Sequence, residues 1–124
     1  MVRHGDRTCT LTVTVDSSGT QSATPGTEHT LATITAAGVY ALLVDADALA
    51  DGEILTLRIK AAVLASGTVR VFYCGTVIGT LPADEEGLIS VPVPYPGTGS
   101  TSLVFTLQQV NGSSRNFPWS ILKM

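Results

Sequence analysis

Leu55-Thr56-Leu57-Arg58-Ile59-Lys60 alternates apolar and polar residues without a fault. Successive side chains of a β-strand point to opposite faces, so Leu55, Leu57 and Ile59 share one side while Thr56, Arg58 and Lys60 share the other. The spacing predicts a strand from Glu53 to Leu64 with one dry face and one wet one. Thr10-Leu11-Thr12-Val13-Thr14-Val15 repeats the pattern, setting Leu11, Val13 and Val15 against three threonines. Leu103, Phe105 and Leu107 alternate with Val104, Thr106 and Gln108 in the same way. Helical periodicity is nearly absent.

Outward from these stretches, extended runs sit between Gly, Pro, Asp and Ser punctuation. From Glu28 to Thr35 the chain alternates with His29, Leu31, Thr33 and Thr35 opposite Glu28, Thr30, Ala32 and Ile34. Val39-Tyr40-Ala41-Leu42-Leu43-Val44 is apolar on both faces, as expected of a strand between a core and a second cover. Asp45 to Gly52 is too short and too acidic for more than one helical turn ending at a glycine. Thr68 to Cys74 is rich in β-branched and aromatic residues, and Thr76 to Leu81 continues it beyond a kink expected at Gly75. Leu88 to Val93 is extended, but Pro92, Pro94 and Pro96 cannot donate ladder bonds, which marks an edge strand or a polyproline segment; Ile89, Val91, Val93 and Tyr95 point the other way and can pack. Asn111-Gly112 is the strongest short turn signal, and Phe117-Pro118-Trp119-Ser120-Ile121-Leu122 follows it as a last strand.

About eight short strands at these spacings imply an all-β chain, a single-domain β-sandwich or jelly roll with an extended N-terminal segment. Asp16 to Gly26 has almost nothing to bury and reads as a loop or linker. The expected organisation is therefore an N-terminal strand or arm and linker over residues 1–26 and a sandwich over 27–124, one folded domain overall. A chain of 124 residues has room for one core.

Hydrophobic residues make up 44% of the chain and charged residues only 14%, against about 25% in a typical soluble domain. The surface must then be built from Thr, Ser, Gly, Asn and Gln, which suits a protein covered by partners. Seven Lys and Arg against ten Asp and Glu give a net charge of -3, with no basic footprint for nucleic acid or an anionic membrane. No apolar run approaches the ~20 residues that span a bilayer, and Met1-Val2-Arg3-His4-Gly5-Asp6-Arg7 lacks a signal-peptide core, so synthesis and folding in the cytoplasm are expected. Cys9 and Cys74 have no metal-site spacing, which leaves a disulfide between them or two buried thiols.

The candidate chemistry is thin. His4 and His29 lie near no Ser or Cys in an activated arrangement. Asp45, Asp47, Asp51 and Glu53 are interrupted by Ala48-Leu49 and lack calcium-loop spacing, so a solvated, capped turn is expected. Asp84-Glu85-Glu86 reads as a solvated loop, and Gly75 to Thr80 lacks the Lys-Ser or Lys-Thr of a phosphate loop. Trp119, Phe117, Tyr40, Tyr73 and Tyr95 are expected in the core rather than as a sugar platform. No catalytic residue, cofactor or metal ligand is expected. The ends remain: Leu11, Val13 and Val15 at one and Phe117, Trp119, Ile121 and Leu122 at the other are apolar enough to dock on a protein partner.

Three stretches carry a resemblance. They are Asp16-Ser17-Ser18-Gly19-Thr20-Gln21 with Gly26-Thr27-Glu28-His29-Thr30-Leu31; Val44-Asp45-Ala46-Asp47-Ala48-Leu49-Ala50-Asp51-Gly52-Glu53 running into Leu55 to Lys60; and Phe117 to Leu122. Together they resemble small structural proteins of tailed bacteriophages, in particular capsid decoration or cement proteins, over most of the chain from Asp16 onward. Met1 to Cys9 depart from that pattern. The resemblance implies a sandwich or jelly-roll homo-oligomer, a trimer, seated on the major capsid protein at the exterior of the virion. Two other roles fit the same residues: a tail or neck component such as an adaptor or tail-tube protein, and a small carbohydrate-binding module using Trp119 or Tyr95.

Overall fold

The computed structural model describes residues 12–64, 66–79, 86–97 and 102–124. Among them run nine strands and no helix: β1 (Thr14–Ala23), β2 (Glu28–Ile34), β3 (Gly38–Asp45), β4 (Ile54–Ala62), β5 (Val69–Ile78), β6 (Gly87–Ile89), β7 (Val93–Tyr95), β8 (Leu103–Gln109) and β9 (Arg115–Lys123). One sheet, sheet A, has the order β1-β9-β3-β6, with β7 also on β3; the other, sheet B, has the order β2-β8-β4-β5. All pairings are antiparallel. With β6 and β7 taken as one strand interrupted around Pro92, the chain crosses between sheets at every step except the β4–β5 hairpin, which is the strand order of a jelly roll.

Alternation builds the core as the sequence predicts. Leu55, Leu57 and Ile59 of β4 and Leu103, Phe105 and Leu107 of β8 face Tyr40, Leu42 and Val44 of β3 and Phe117 and Ile121 of β9. Phe105, Phe117, Leu42 and Ile121 are wholly removed from solvent, each contributing about 1.5–3 kcal/mol relative to an exposed side chain. Tyr40 is buried as well, and its hydroxyl donates to Ala36 O at 2.9 Å, so its polar tip is satisfied.

Several expectations are corrected. Asp16 to Ala23 is no linker: β1 pairs with β9 from Thr14↔Lys123 to Ala23↔Arg115. Its backbone supplies the ladder while its side chains stay largely in water, so hydrophobic pattern could not announce it. Gly19 is part of the reason it fits, because a Cβ there would meet the Trp119 indole at 3.3 Å. The start of the folded body therefore lies before residue 27. In β2 an extra residue at Leu31, between Thr30↔Thr106 and Ala32↔Phe105, shifts the alternation so that Ala32 and Ile34 turn inward. In β5 the irregularity falls at Phe72, between Ile59↔Tyr73 and Lys60↔Val71, and the strand runs straight through Gly75. After β3 ends at Asp45, residues 46–52 form turns, held by Asp47 N–H on Asp45 Oδ1 at 3.0 Å and Leu49 N–H on Ala46 O at 3.0 Å. Asn111-Gly112 does turn the chain between β8 and β9, with Gly112 at φ 86°.

Candidate docking surfaces

Two clusters of charged side chains tie strands of the sandwich together. At one end Glu53, only 6% exposed, accepts from Arg115 Nε at 3.0 Å and Nη2 at 3.1 Å, from Ala50 N–H at 2.8 Å and from Ser113 N–H at 3.0 Å. The Arg115 guanidinium, followed by the Ala50 amide, holds the Glu53 carboxyl at about 2, well below its ordinary 4.5. Beside it the fully buried Gln109 donates to Asn111 O and Ser113 O and accepts from Arg115 N–H. Asn111 ties Ile54 N–H and Gly52 O into the same knot. The knot joins the β3–β4 turn to the β8–β9 turn.

A second network lies on the outer face of sheet B. Lys60 Nζ sits 2.8 Å from Glu28, Arg58 sits 3.5 Å from it, and Thr106 Oγ1 donates to it at 2.6 Å. The Lys60 hydrogen bond is the main reason its carboxyl titrates below the ordinary value. Both displaced carboxyls are pushed away from neutrality, opposite to the upward shift that fits a carboxyl for proton transfer at pH 7. His29 Nε2 accepts Thr24 N–H at 3.0 Å, which pins the β1–β2 turn. Among the described residues no group of three or more His, Cys, Asp or Glu converges on a metal position.

The residues expected to dock divide by face. Phe117 and Ile121 are wholly buried in the core, and Trp119 is half-buried against it, so Phe117 and Ile121 are withdrawn from any partner. The reason is the period of β9: alternate residues of that strand meet β4 and β8 across the sandwich. Leu122 points the other way, half-buried on the outer face of sheet A, with exposed Val15 across from it on β1. Val13 is exposed just before β1, and Leu11 lies outside the described residues. Tyr95 is 6% exposed and cannot offer a ring face to a sugar. Cys74 is an exposed free thiol on β5, against the expectation of a packed one, while its proposed disulfide partner Cys9 lies outside the described residues.

Sequence pattern missed what lies beside Leu122. On the outer face of sheet A, Leu122 pairs with Ala41, and Leu43 pairs with Ile89. Ile89 is 66% exposed and Val91 54% exposed, although the spacing leaves both free to pack. The interruption of the edge strand around Pro92 leaves them turned to solvent. These residues form an apolar stripe from β1 across β9 and β3 to β6. At its end a shallow depression of about 840 Å³ is lined by Leu43, Ile89 and Pro118 together with Asp45, Asp47 and Glu86. A second, narrower groove of about 310 Å³ opens at the far end of the sandwich between Val63, Leu64 and Phe72 and the Val93–Pro96 segment. The apolar run Val39 to Val44 was the legible signal, because a strand apolar on both faces needs two covers and the fold supplies one.

Comparison with family models, with curated proteins and with solved structures found no match to this chain.

Proposed function

We propose that this protein is a non-enzymatic structural component that works by seating the outer face of sheet A on another protein, and that this other protein is the major capsid protein of a tailed-phage shell. In this reading it is a decoration or cement protein on the exterior of the virion. The observation that carries it is the apolar stripe of Val15, Leu122, Leu43 and Ile89, with the buried Ala41 between Leu122 and Leu43, which crosses the sheet on the side turned away from the core. A sheet face normally wet in an isolated sandwich carries an apolar stripe here, and apolar area of that kind marks a contact.

The low charge fraction supports the same reading, since a surface of hydroxyls and aliphatics can be covered without stripping unpaired charges of water. Asp45, Asp47 and Glu86 at the rim of the depression favour a partner with basic residues at the edge of its contact. On a symmetric shell many modest contacts act together. The phage setting itself rests on the three stretches quoted from the sequence.

Shells purified without the protein test the proposal when challenged by heat and pressure. Adding the protein is expected to raise their resistance, and adding an Ile89→Asp variant is expected to leave it unchanged. Shells equally resistant with and without the protein would refute the role. Electron microscopy of labelled particles places a decoration protein over the whole head; label at a single vertex would assign the chain to the neck or tail instead.

A further inference from the structure

The strands at the sheet edges are not equally open to a new neighbour. An edge presents unpaired N–H and C=O groups, and natural sheets blunt it with proline, bulges, charge or shortness. The β6–β7 edge consists of two three-residue strands bearing Pro92 before β7 and Pro94 within it. The β1 edge is broken by a register shift between Val15 and Ser17, where Asp16 is the extra residue. The β2 edge carries Glu28 and is shifted at Leu31. β5 has ten residues, no proline and no carboxylate; its one charge, Arg70, and its own register shift at Phe72 both lie toward its start.

From Tyr73 to Ile78, β5 keeps unbroken register with β4. Just beyond it, Gly79 N–H donates to Glu53 O at 2.8 Å. Backbone groups along an antiparallel strand turn alternately to either side, so Tyr73, Gly75 and Val77 serve β4 while Cys74, Thr76 and Ile78 face away from it. This outward set is self-complementary. A two-fold axis through Thr76 sets Cys74 against Ile78 of the other copy and Thr76 against Thr76, and every outward N–H and C=O of the set finds a partner.

The side chains agree with that register. Ile78, 55% exposed, gains an apolar neighbour in the exposed Cys74. On the inner face Val77 meets Gly75, whose missing side chain leaves room. Arg70 falls outside the paired stretch, so the two arginines stay apart, whereas a parallel pairing would set them side by side.

We infer that β5 pairs antiparallel with β5 of a second copy about a two-fold axis at Thr76, joining two four-stranded sheets into one continuous sheet. Copies meet at this edge as two-fold pairs, in place of the trimer that the resemblance implies. The contact is independent of the shell reading, because it forms in the isolated protein.

Engineered thiols in the 124-residue chain test the register. In a Cys9→Ser, Cys74→Ser background, Thr76→Cys places two Cα atoms about 5.5 Å apart, inside the span of a disulfide. Mild oxidation is expected to convert nearly all of it to covalent dimer, while Val69→Cys in the same background stays uncrosslinked. Sedimentation equilibrium of the unaltered chain is expected to show a concentration-dependent dimer. Thr76→Pro removes an N–H directed away from β4 and is expected to raise the dimer dissociation constant by about a hundredfold, with the strand signal in circular dichroism retained. Should the proline variant unfold, Ile78→Lys serves instead, raising the constant by at least about tenfold. A chain that stays monomeric at high concentration, a trimer, or a dimer in which Thr76→Cys does not crosslink would each overturn the inference, as would β5 taking up only an extended segment of a different protein.

Discussion

Ile121 and Leu122 are neighbours in β9 with opposite duties. Ile121 is wholly buried among Leu42, Phe117 and the rest of the core, so Ile121→Ala leaves a cavity between the sheets. Such a truncation costs about 2–5 kcal/mol. For a domain of this size, in which 1 kcal/mol moves the unfolding temperature by about 4 °C, Tm should fall by about 8–20 °C. Leu122 is half-buried on the outer face of sheet A, where Leu122→Ala removes few contacts and should cost under about 1 kcal/mol. Urea unfolding of both variants beside the unaltered chain, followed by tryptophan emission of Trp119, gives the two losses at constant slope. Binding should rank the other way: Leu122→Ala weakens attachment to the partner, and Ile121→Ala, while folded, does not. Equal losses of stability, or the larger loss at Leu122, would mean that the two faces of β9 have been exchanged and would remove the basis for the docking stripe.

Three further outcomes follow from named contacts. Because the Glu53 carboxyl is held at about 2 in the folded protein against an ordinary 4.5, its ionic contacts stabilise the fold fully above pH 4.5. That contribution is lost as pH falls from 4.5 toward 2, so urea midpoints should drop over that window, and Arg115→Met should flatten the drop. Gly112→Ala should destabilise the fold clearly, since a Cβ there would run into the Glu53 carboxylate and φ of 86° is unfavourable for an L side chain; an unchanged Tm in a thermal scan would contradict it. Ser17 Oγ is buried on β1 without a hydrogen-bond partner among the described residues, so Ser17→Ala should raise stability by about 1 kcal/mol in the same urea assay.

The fold was legible wherever burial imposed a period. β4 and β8 announced themselves because one face of each is dry, and the Asn111-Gly112 turn because its backbone conformation selects those residues. β1 was not legible: Thr14 to Ala23 buries only Ala23 and is held by its ladder to β9, which leaves no hydrophobic trace. The bulges at Leu31 and Phe72 were hidden as well, since each is fixed by a partner strand distant in sequence. The docking residues expected on β9 divide between its two faces, because Phe117, Trp119, Ile121 and Leu122 are all apolar and only the register with β3 separates inward from outward. The exposure of Ile89 was hidden for the converse reason, as alternation in a proline-rich segment does not say which face is covered.

In the function we propose, the outer face of sheet A is the surface by which this protein attaches to a protein shell. Co-sedimentation with assembled shells measures it: the unaltered chain should pellet saturably, Ile89→Asp should bind about a hundredfold more weakly, and Val110→Asp, at the exposed turn after β8, should bind as the unaltered chain does. Undiminished pelleting of Ile89→Asp, or no pelleting of the unaltered chain, would contradict the account.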